Sequence, residues 1–124
     1  MRPYNILIWG YGRKYNESIN VIKYQELLGT IRVVGIIDRK ETYTKLDGYP
    51  VLRLSDINKV KFDYVIVTSE NFFDEICAKA ISLGVERNRI VPIRVFLLPG
   101  FNFRKYVELL KSKVSIIANL CWGG

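Results

Sequence analysis

The sequence predicts a three-layer α/β fold, with a parallel sheet of five to six strands and helices on both faces. The apolar run 5–9 leads into two glycines, Gly10 and Gly12, and the apolar run 33–37 ends in Asp38. Apolar runs without alternation are typical of strands buried on both faces of a parallel sheet. A glycine turn after the first strand and an acid after the second are the pattern of a nucleotide-binding βαβ unit.

The rest of the chain alternates between strand and helix signals. We expect the first helix to begin at Asn16, as its cap, and to stop before Gly29. Residues 39–49 are polar and aperiodic, which predicts a surface loop. The other expected elements are strands over 31–37, 51–52, 64–68 and 89–93, a short helix capped by Ser55, a helix capped by Ser69 or Asn71 and closed by Gly84, and a helix opened by Asn102. Right-handed crossovers then give the strand order 3-2-1-4-5.

The length and composition of the chain exclude several classes of protein. The chain has 124 residues, enough for one domain with a sizeable core, since 49% of them are hydrophobic. No run approaches the length of a membrane span and no signal peptide is evident, so we expect a cytoplasmic protein. There is no histidine, which removes imidazole-based triads and imidazole-held metals. Cys77 and Cys121 are far apart in sequence, and we expect two reduced thiols and no metal site.

The net charge is +7, but the basic residues fall singly or in pairs along the sequence. Binding to nucleic acid is usually marked by blocks of charge or by basic residues interleaved with aromatics. We therefore expect no nucleic-acid partner.

The glycine turn is the main candidate binding site. Gly10 would permit the sharp bend, and Gly12 would let phosphate oxygens approach the amides at the start of the first helix. Tyr11 lies between them, and Arg13 adds positive charge. The alternative is that both glycines only serve the corner between strand and helix. Tyr15 stands where the usual fingerprint has a third glycine, which opposes close packing of helix on strand and weakens the phosphate prediction.

Asp38 is the candidate ribose ligand, because a carboxylate at the tip of the second strand lies beside the glycine turn. Arg39 could receive a 2′-phosphate, so the choice between NAD and NADP stays open. Thr68 and Ser69 follow the strand next to the first one, at the point where the winding of the sheet reverses, and either could bind phosphate or base. For Ser69, capping the following helix is the alternative.

No catalytic motif is evident. The sequence lacks the Tyr-x-x-x-Lys pair of short-chain dehydrogenases and sugar epimerases. It also lacks the Gly-x-x-x-x-Gly-Lys-Ser/Thr loop that binds nucleoside triphosphates and the Gly-x-Ser-x-Gly elbow of acyl transfer. We therefore expect no catalysis by this part of the chain alone.

Five short motifs occur in an order that resembles one family of domains. They are Ile-Trp-Gly-Tyr-Gly-Arg, Val-Val-Gly-Ile-Ile-Asp, Gly-Tyr-Pro-Val-Leu, Tyr-Val-Ile-Val-Thr-Ser and Leu-Gly-Val-Glu-Arg-Asn-Arg-Ile. In this order they resemble the Rossmann-like N-terminal domains of bacterial surface-polysaccharide biosynthesis proteins. The tail 114–124, with its Cys-Trp-Gly-Gly, is similar to the start of an uncharacterised exopolysaccharide-biosynthesis domain suspected of acyl transfer. The resemblance implies a Rossmann-like domain over 1–113, the first strand of a truncated following domain over 114–124, and catalysis in the missing part.

Three hypotheses follow. The first is a non-catalytic module that binds a nucleotide, a dinucleotide such as NAD(P), or a nucleotide-sugar. The second is a ligand-free interaction or scaffolding domain, pairing as a homodimer or with the catalytic domain of the same polypeptide. The third, an oxidoreductase or epimerase completed elsewhere, is disfavoured by the missing catalytic pair.

Overall fold

The computed structural model describes residues 2–10, 13–37, 45–46 and 48–112. Its strands are β1 (Tyr4–Trp9), β2 (Ile31–Ile37), β3 (Lys45–Leu46), β4 (Tyr49–Leu52), β5 (Tyr64–Val67) and β6 (Ile90–Pro92). Its α-helices are α1 (Arg13–Leu27), α2 (Phe73–Ser82) and α3 (Phe103–Ser112), with 3-10 helices at Leu54–Lys59, Arg87–Arg89 and Ile93–Leu97. The first strand of a following domain, expected over 114–124, and the boundary at residue 113 lie outside the described residues.

The sheet has the order β3-β4-β2-β1-β5-β6. All pairings are parallel except that of β3 with β4, so the five parallel strands have the order 3-2-1-4-5, as predicted. β1 lies at the centre, between β2 and β5. The winding of the chain reverses there, because β2 and β4 are added on one side of β1, and β5 and β6 on the other.

Two apolar layers cover the two faces of the sheet. Ile6 and Ile8 of β1 point into one layer, and Leu7 between them points into the other, because successive side chains of a strand alternate. The first layer is built with α1, α3 and the 3-10 helix at 93–97, and the second with α2 and the 3-10 helix at 54–59. Cys77 is buried in the second layer.

α1 packs on the sheet through four buried positions at helical spacing, namely Tyr15, Ser18, Ile22 and Gln25. Tyr15 is 0% exposed and belongs to the first layer together with Ile6 and Ile8. The position of the missing third glycine is therefore filled by a ring that is part of the core. The small residue of this face is Ser18, one turn further along.

Some predicted boundaries were wrong. α1 begins at Arg13, so Asn16 is an exposed residue inside the helix and not its cap. The loop expected over 39–49 contains β3 and the first residue of β4, which form an antiparallel pair too short to show any periodicity. The 3-10 helix at 54–59 begins before Ser55 and has no side-chain cap. β6 is shorter than predicted, because residue 93 already belongs to the next 3-10 helix.

One predicted cap is confirmed. The Asn102 Oδ1 atom accepts a hydrogen bond of 3.1 Å from the amide of Lys105, at the start of α3. This bond satisfies an amide that has no partner within the helix. The predicted cap of α2 by Ser69 or Asn71 was wrong, because Phe72 holds the N-cap position and α2 has no side-chain cap. The Ser69 Oγ atom accepts a hydrogen bond of 3.2 Å from the amide of Phe72, which precedes the helix.

Candidate functional site

The candidate site lies at the carboxyl edge of the sheet, where β1, β2 and β5 end side by side. The amide of Gly10 donates to the carbonyl of Ile37 over 2.8 Å, and the amide of Thr68 donates to that of Trp9 over 3.2 Å. The parallel ladder thus continues for one residue beyond β1 and β5. These bonds fix the position from which the turn into α1 starts.

Gly10 is the residue at which the chain leaves β1. Its φ is +111°, in a region that side chains rarely adopt, and a Cβ atom at this position would lie 2.6 Å from the Thr68 Oγ1 atom. Both the backbone and the neighbouring side chain therefore require glycine here. α1 begins only three residues later, at Arg13. Its first amides accordingly face the carboxyl edge, with the positive end of the helix dipole.

Thr68 is 3% exposed, and its hydroxyl lies 3.1 Å from the carbonyl oxygen of Gly10 and 3.3 Å from that of Trp9. The hydroxyl has a single hydrogen to donate and shares it between these two acceptors. The side chain therefore ties the end of β5 to the glycine turn.

Ser69 is half-buried and accepts the bond from Phe72 described above. An oxygen that accepts one hydrogen bond can still donate its own hydrogen, so this bond does not exclude a ligand contact. Arg13 is the first residue of α1. The candidates Tyr11, Gly12, Asp38 and Arg39 lie outside the described residues.

Among the residues that the structure describes, Cys77 and Tyr64 have a shifted pKa, and both lie away from the glycine turn. Burial raises the pKa of the Cys77 thiol, with Asp74 adding to the shift and Arg87 opposing it. Burial also raises the pKa of Tyr64, with smaller contributions from Tyr4 and Asp63 in the same direction. Neither group faces the candidate site, so these shifts do not indicate catalysis there.

The described residues contain no group of three His, Cys, Asp or Glu side chains placed to hold a metal ion. None of the described helices has the length and apolar character that a bilayer span requires.

The opposite, amino edge of the sheet carries a second concave surface that sequence reasoning missed. Its three cations, Arg2, Lys61 and Arg89, are distant in sequence. Each lies at or just before the start of a parallel strand: β1, β5 and β6 respectively. Parallel strands start at the same edge of a sheet. The position of each basic residue just before a predicted strand was therefore the signal from which their proximity could have been predicted.

Strand order, glycine turn and helix start define a Rossmann-like α/β domain. Residues 2–91 match the family model described as C2185-like, N-terminal, and the chain belongs to this family. No curated protein matches the chain.

Two solved structures show the same fold. A crystal structure of RSP, a Rex-family repressor, matches with a TM-score of 0.53 at 12% sequence identity, covering 98% of this chain. The structure of RSP in complex with β-NADH matches with a TM-score of 0.51 at 13% identity, again over 98% of this chain. In both cases the chain spans 63% of the length of the repressor chain.

Proposed function

We propose that this domain is a non-catalytic module that binds a nucleotide, a dinucleotide such as NAD(P), or a nucleotide-sugar. The observation that supports the proposal is the position of the turn at Gly10. This turn leads from β1 into α1 at the point of the sheet where the strand order reverses, with β2 on one side of β1 and β5 on the other. Open α/β sheets bind ligands in the crevice outside this point, with the phosphates at the start of the helix.

The proposal gives each candidate residue a role. Gly10, Tyr11, Gly12 and Arg13 form the phosphate-binding turn. Asp38, directly after β2, accepts hydrogen bonds from the ribose hydroxyls, and Arg39 receives a 2′-phosphate if the ligand carries one.

Thr68 and Ser69 form the opposite wall of the crevice. The bond from Thr68 to Gly10 supports a role in which Thr68 shapes the turn, and Ser69 is left to offer its hydroxyl to the ligand.

Two further lines support the proposal. RSP, which has the same fold, has been crystallised with β-NADH. Tyr15 does not stand in the crevice, because its side chain is fully buried in the layer between α1 and the sheet.

The order of the five motifs supports a place in a surface-polysaccharide or exopolysaccharide biosynthesis protein, with catalysis in another part of the polypeptide.

A thermal-shift panel of NAD, NADH, NADP, nucleoside diphosphates and nucleotide-sugars tests the proposal. A ligand at one hundred times its Kd should stabilise the fold by about 2.7 kcal/mol. Asp38→Ala should abolish this shift. Glu86→Ala is the matched control, since it removes an exposed carboxylate just before the 3-10 helix at Arg87–Arg89, at the amino edge of the sheet. The proposal fails if no member of the panel shifts the melting temperature, or if the two variants lose the shift equally.

A second candidate function, an interaction or dimerisation domain, is favoured by one surface. Tyr24, Leu28, Leu97 and Leu98 are between 46% and 58% exposed, and they border a groove of about 530 Å³ between α1 and the segment 96–102. Exposed apolar patches of this kind often mark interaction surfaces. If the domain dimerises here, Leu98→Asp should convert a dimer to a monomer in sedimentation velocity. Ile81→Asp, at an exposed position of α2, should not.

A further inference from the structure

We infer that the groove at the amino edge of the sheet is a second binding site, which takes a small phosphate-bearing dianion. The groove has a volume of about 360 Å³, within the range of small-ligand sites. It lies at the opposite end of β1 from Gly10. It therefore cannot be part of the proposed nucleotide site.

Arg89 is the fixed cation of this groove. Its Nε atom donates to the carbonyl of Asp63 over 2.9 Å, and its Nη2 atom donates to the carbonyl of Phe62. Its guanidinium also lies 4.7 Å from the centroid of the Phe62 ring. The side chain is thus held in one place before any ligand arrives, and a guanidinium keeps its charge at every accessible pH. Pre-ordered donors of this kind reduce the entropy cost of binding.

Arg2 and Lys61 are the two cations at the rim. Both are exposed, and neither side chain forms an ion pair with any residue that the structure describes. Their side chains can therefore adjust to a ligand, whereas the side chain of Arg89 is held in place. Asn5 and Asn58 also line the groove and add polar groups.

The charge of the lining is positive. Three cations face one carboxylate, that of Asp63, and the Oδ2 atom of this carboxylate already accepts a hydrogen bond of 2.7 Å from the amide of Asn5. The turn that follows α2 borders the groove at Gly84. Two carbonyls at the end of α2 are occupied, because Ala80 and Ile81 accept bonds from the amides of Val85 and Gly84. An excess of two positive charges matches a dianion such as a phosphate monoester.

Binding of inorganic phosphate to the full chain, followed by two-dimensional NMR at constant ionic strength, tests this inference. We expect saturable shifts at the amides of residues 5, 58, 61 and 89. Arg2→Gln and Lys61→Gln should each weaken the apparent affinity at least fivefold. Lys79→Gln and Lys23→Gln are the matched controls, since they remove exposed lysines on α2 and α1, and they should leave the affinity unchanged.

Parallel titrations with glycerol phosphate and with a phosphoserine peptide distinguish the source of the phosphate. Tighter binding of either one than of inorganic phosphate would support the site and name its ligand class. The inference is overturned if no shift saturates, if all four lysine and arginine variants weaken binding equally, or if the shifts are confined to residues near Gly10. Asp38→Ala must leave these shifts intact, which separates this site from the proposed nucleotide site.

Discussion

Gly10 and Thr68 constrain each other at the end of β1, although 58 residues separate them in sequence. Gly10 has a positive φ, and a Cβ atom added to it would lie 2.6 Å from the Thr68 Oγ1 atom. A side chain at position 10 therefore meets two separate penalties, one from the backbone and one from the neighbour. Gly48 offers a comparison, because its φ is +85° but a Cβ atom there would have no neighbour within 4 Å.

Gly10→Ala should destabilise the protein more than Gly48→Ala does. Positive φ alone costs a non-glycine residue about 1–3 kcal/mol. Crowding against Thr68 should add roughly 1–3 kcal/mol at position 10 only. Urea unfolding measures both variants. In the Thr68→Ala background the extra cost at position 10 should shrink. An equal loss in both glycine variants would show that the contact with Thr68 has no energetic weight.

The thiol of Cys77 provides a pH-dependent contribution to stability. Its pKa is raised in the folded state by burial, so the folded protein holds the thiol proton more tightly than the unfolded chain does. This contribution is fully present below the unfolded pKa, roughly 8.5, and is lost as the pH rises through the higher folded pKa.

We therefore expect the difference in unfolding free energy between the wild type and Cys77→Ala to be smaller at pH 10 than at pH 7.5. Comparison with this variant removes the effect of Tyr64, whose pKa is also raised. Chemical denaturation at the two pH values gives the result, with Cys121→Ala as a parallel control. A difference that stays constant between the two pH values would contradict the expectation.

At the scale of elements, Gln25 joins the end of α1 to the start of α3. Its Nε2 atom donates to the carbonyl of Phe101 over 2.9 Å, and its Oε1 atom accepts from the amide of Phe103 over 3.0 Å. The Oε1 atom also accepts from the hydroxyl of Thr30 over 2.9 Å. Gln25 is 3% exposed, so these polar groups have little access to water.

Gln25→Ala should destabilise the protein by about 2–4 kcal/mol, because it leaves more than one buried group without its partner. Lys23→Ala, an exposed substitution two residues away, should change the stability by less than about 0.5 kcal/mol. Urea denaturation of both variants gives the comparison. Gln25→Glu should also be destabilising, since a carboxylate cannot donate to the carbonyl of Phe101. Wild-type stability in Gln25→Ala would mean that the two elements are held by apolar contacts alone.

These elements show which parts of the structure a sequence can predict. The parallel strands were predictable because each is an apolar run, and the cap at Asn102 because it bonds to an amide only three residues away. The start of α1 at Arg13 was not predictable. Asparagine is a common helix cap, but this preference of the residue type does not say how soon after Gly10 the chain becomes helical.

Contacts between distant residues were beyond sequence reasoning. The bond from Thr68 to Gly10 and the groove formed by Arg2, Lys61 and Arg89 both depend on strands that are neighbours only in the folded sheet. For the same reason, basic residues scattered along the sequence gave no sign that three of them share one surface.

At the scale of the whole molecule, the sheet couples two apolar layers that share no side chain. Ile22 is buried in the layer with α1, and Ile57 is buried in the layer with α2. Both layers depend on β1, because Ile6 and Ile8 point to one side of this strand and Leu7 to the other. Loss of either layer exposes one face of the same central strands, so we expect the domain to unfold as one cooperative unit.

Ile22→Val and Ile57→Val should each destabilise this single transition by about 0.5–1.5 kcal/mol. Because the two side chains lie on opposite faces of the sheet, the effects should add in the double variant to within about 0.5 kcal/mol, with an unchanged dependence on denaturant concentration. Ile8→Val combined with Ile22→Val is the comparison within one layer, where packing rearrangements are shared and departures from additivity are expected. Circular dichroism and tryptophan fluorescence in urea should report the same midpoint for every variant. Two separate midpoints, or an Ile57→Val variant that shifts only one of the two signals, would show that each layer unfolds independently of the other.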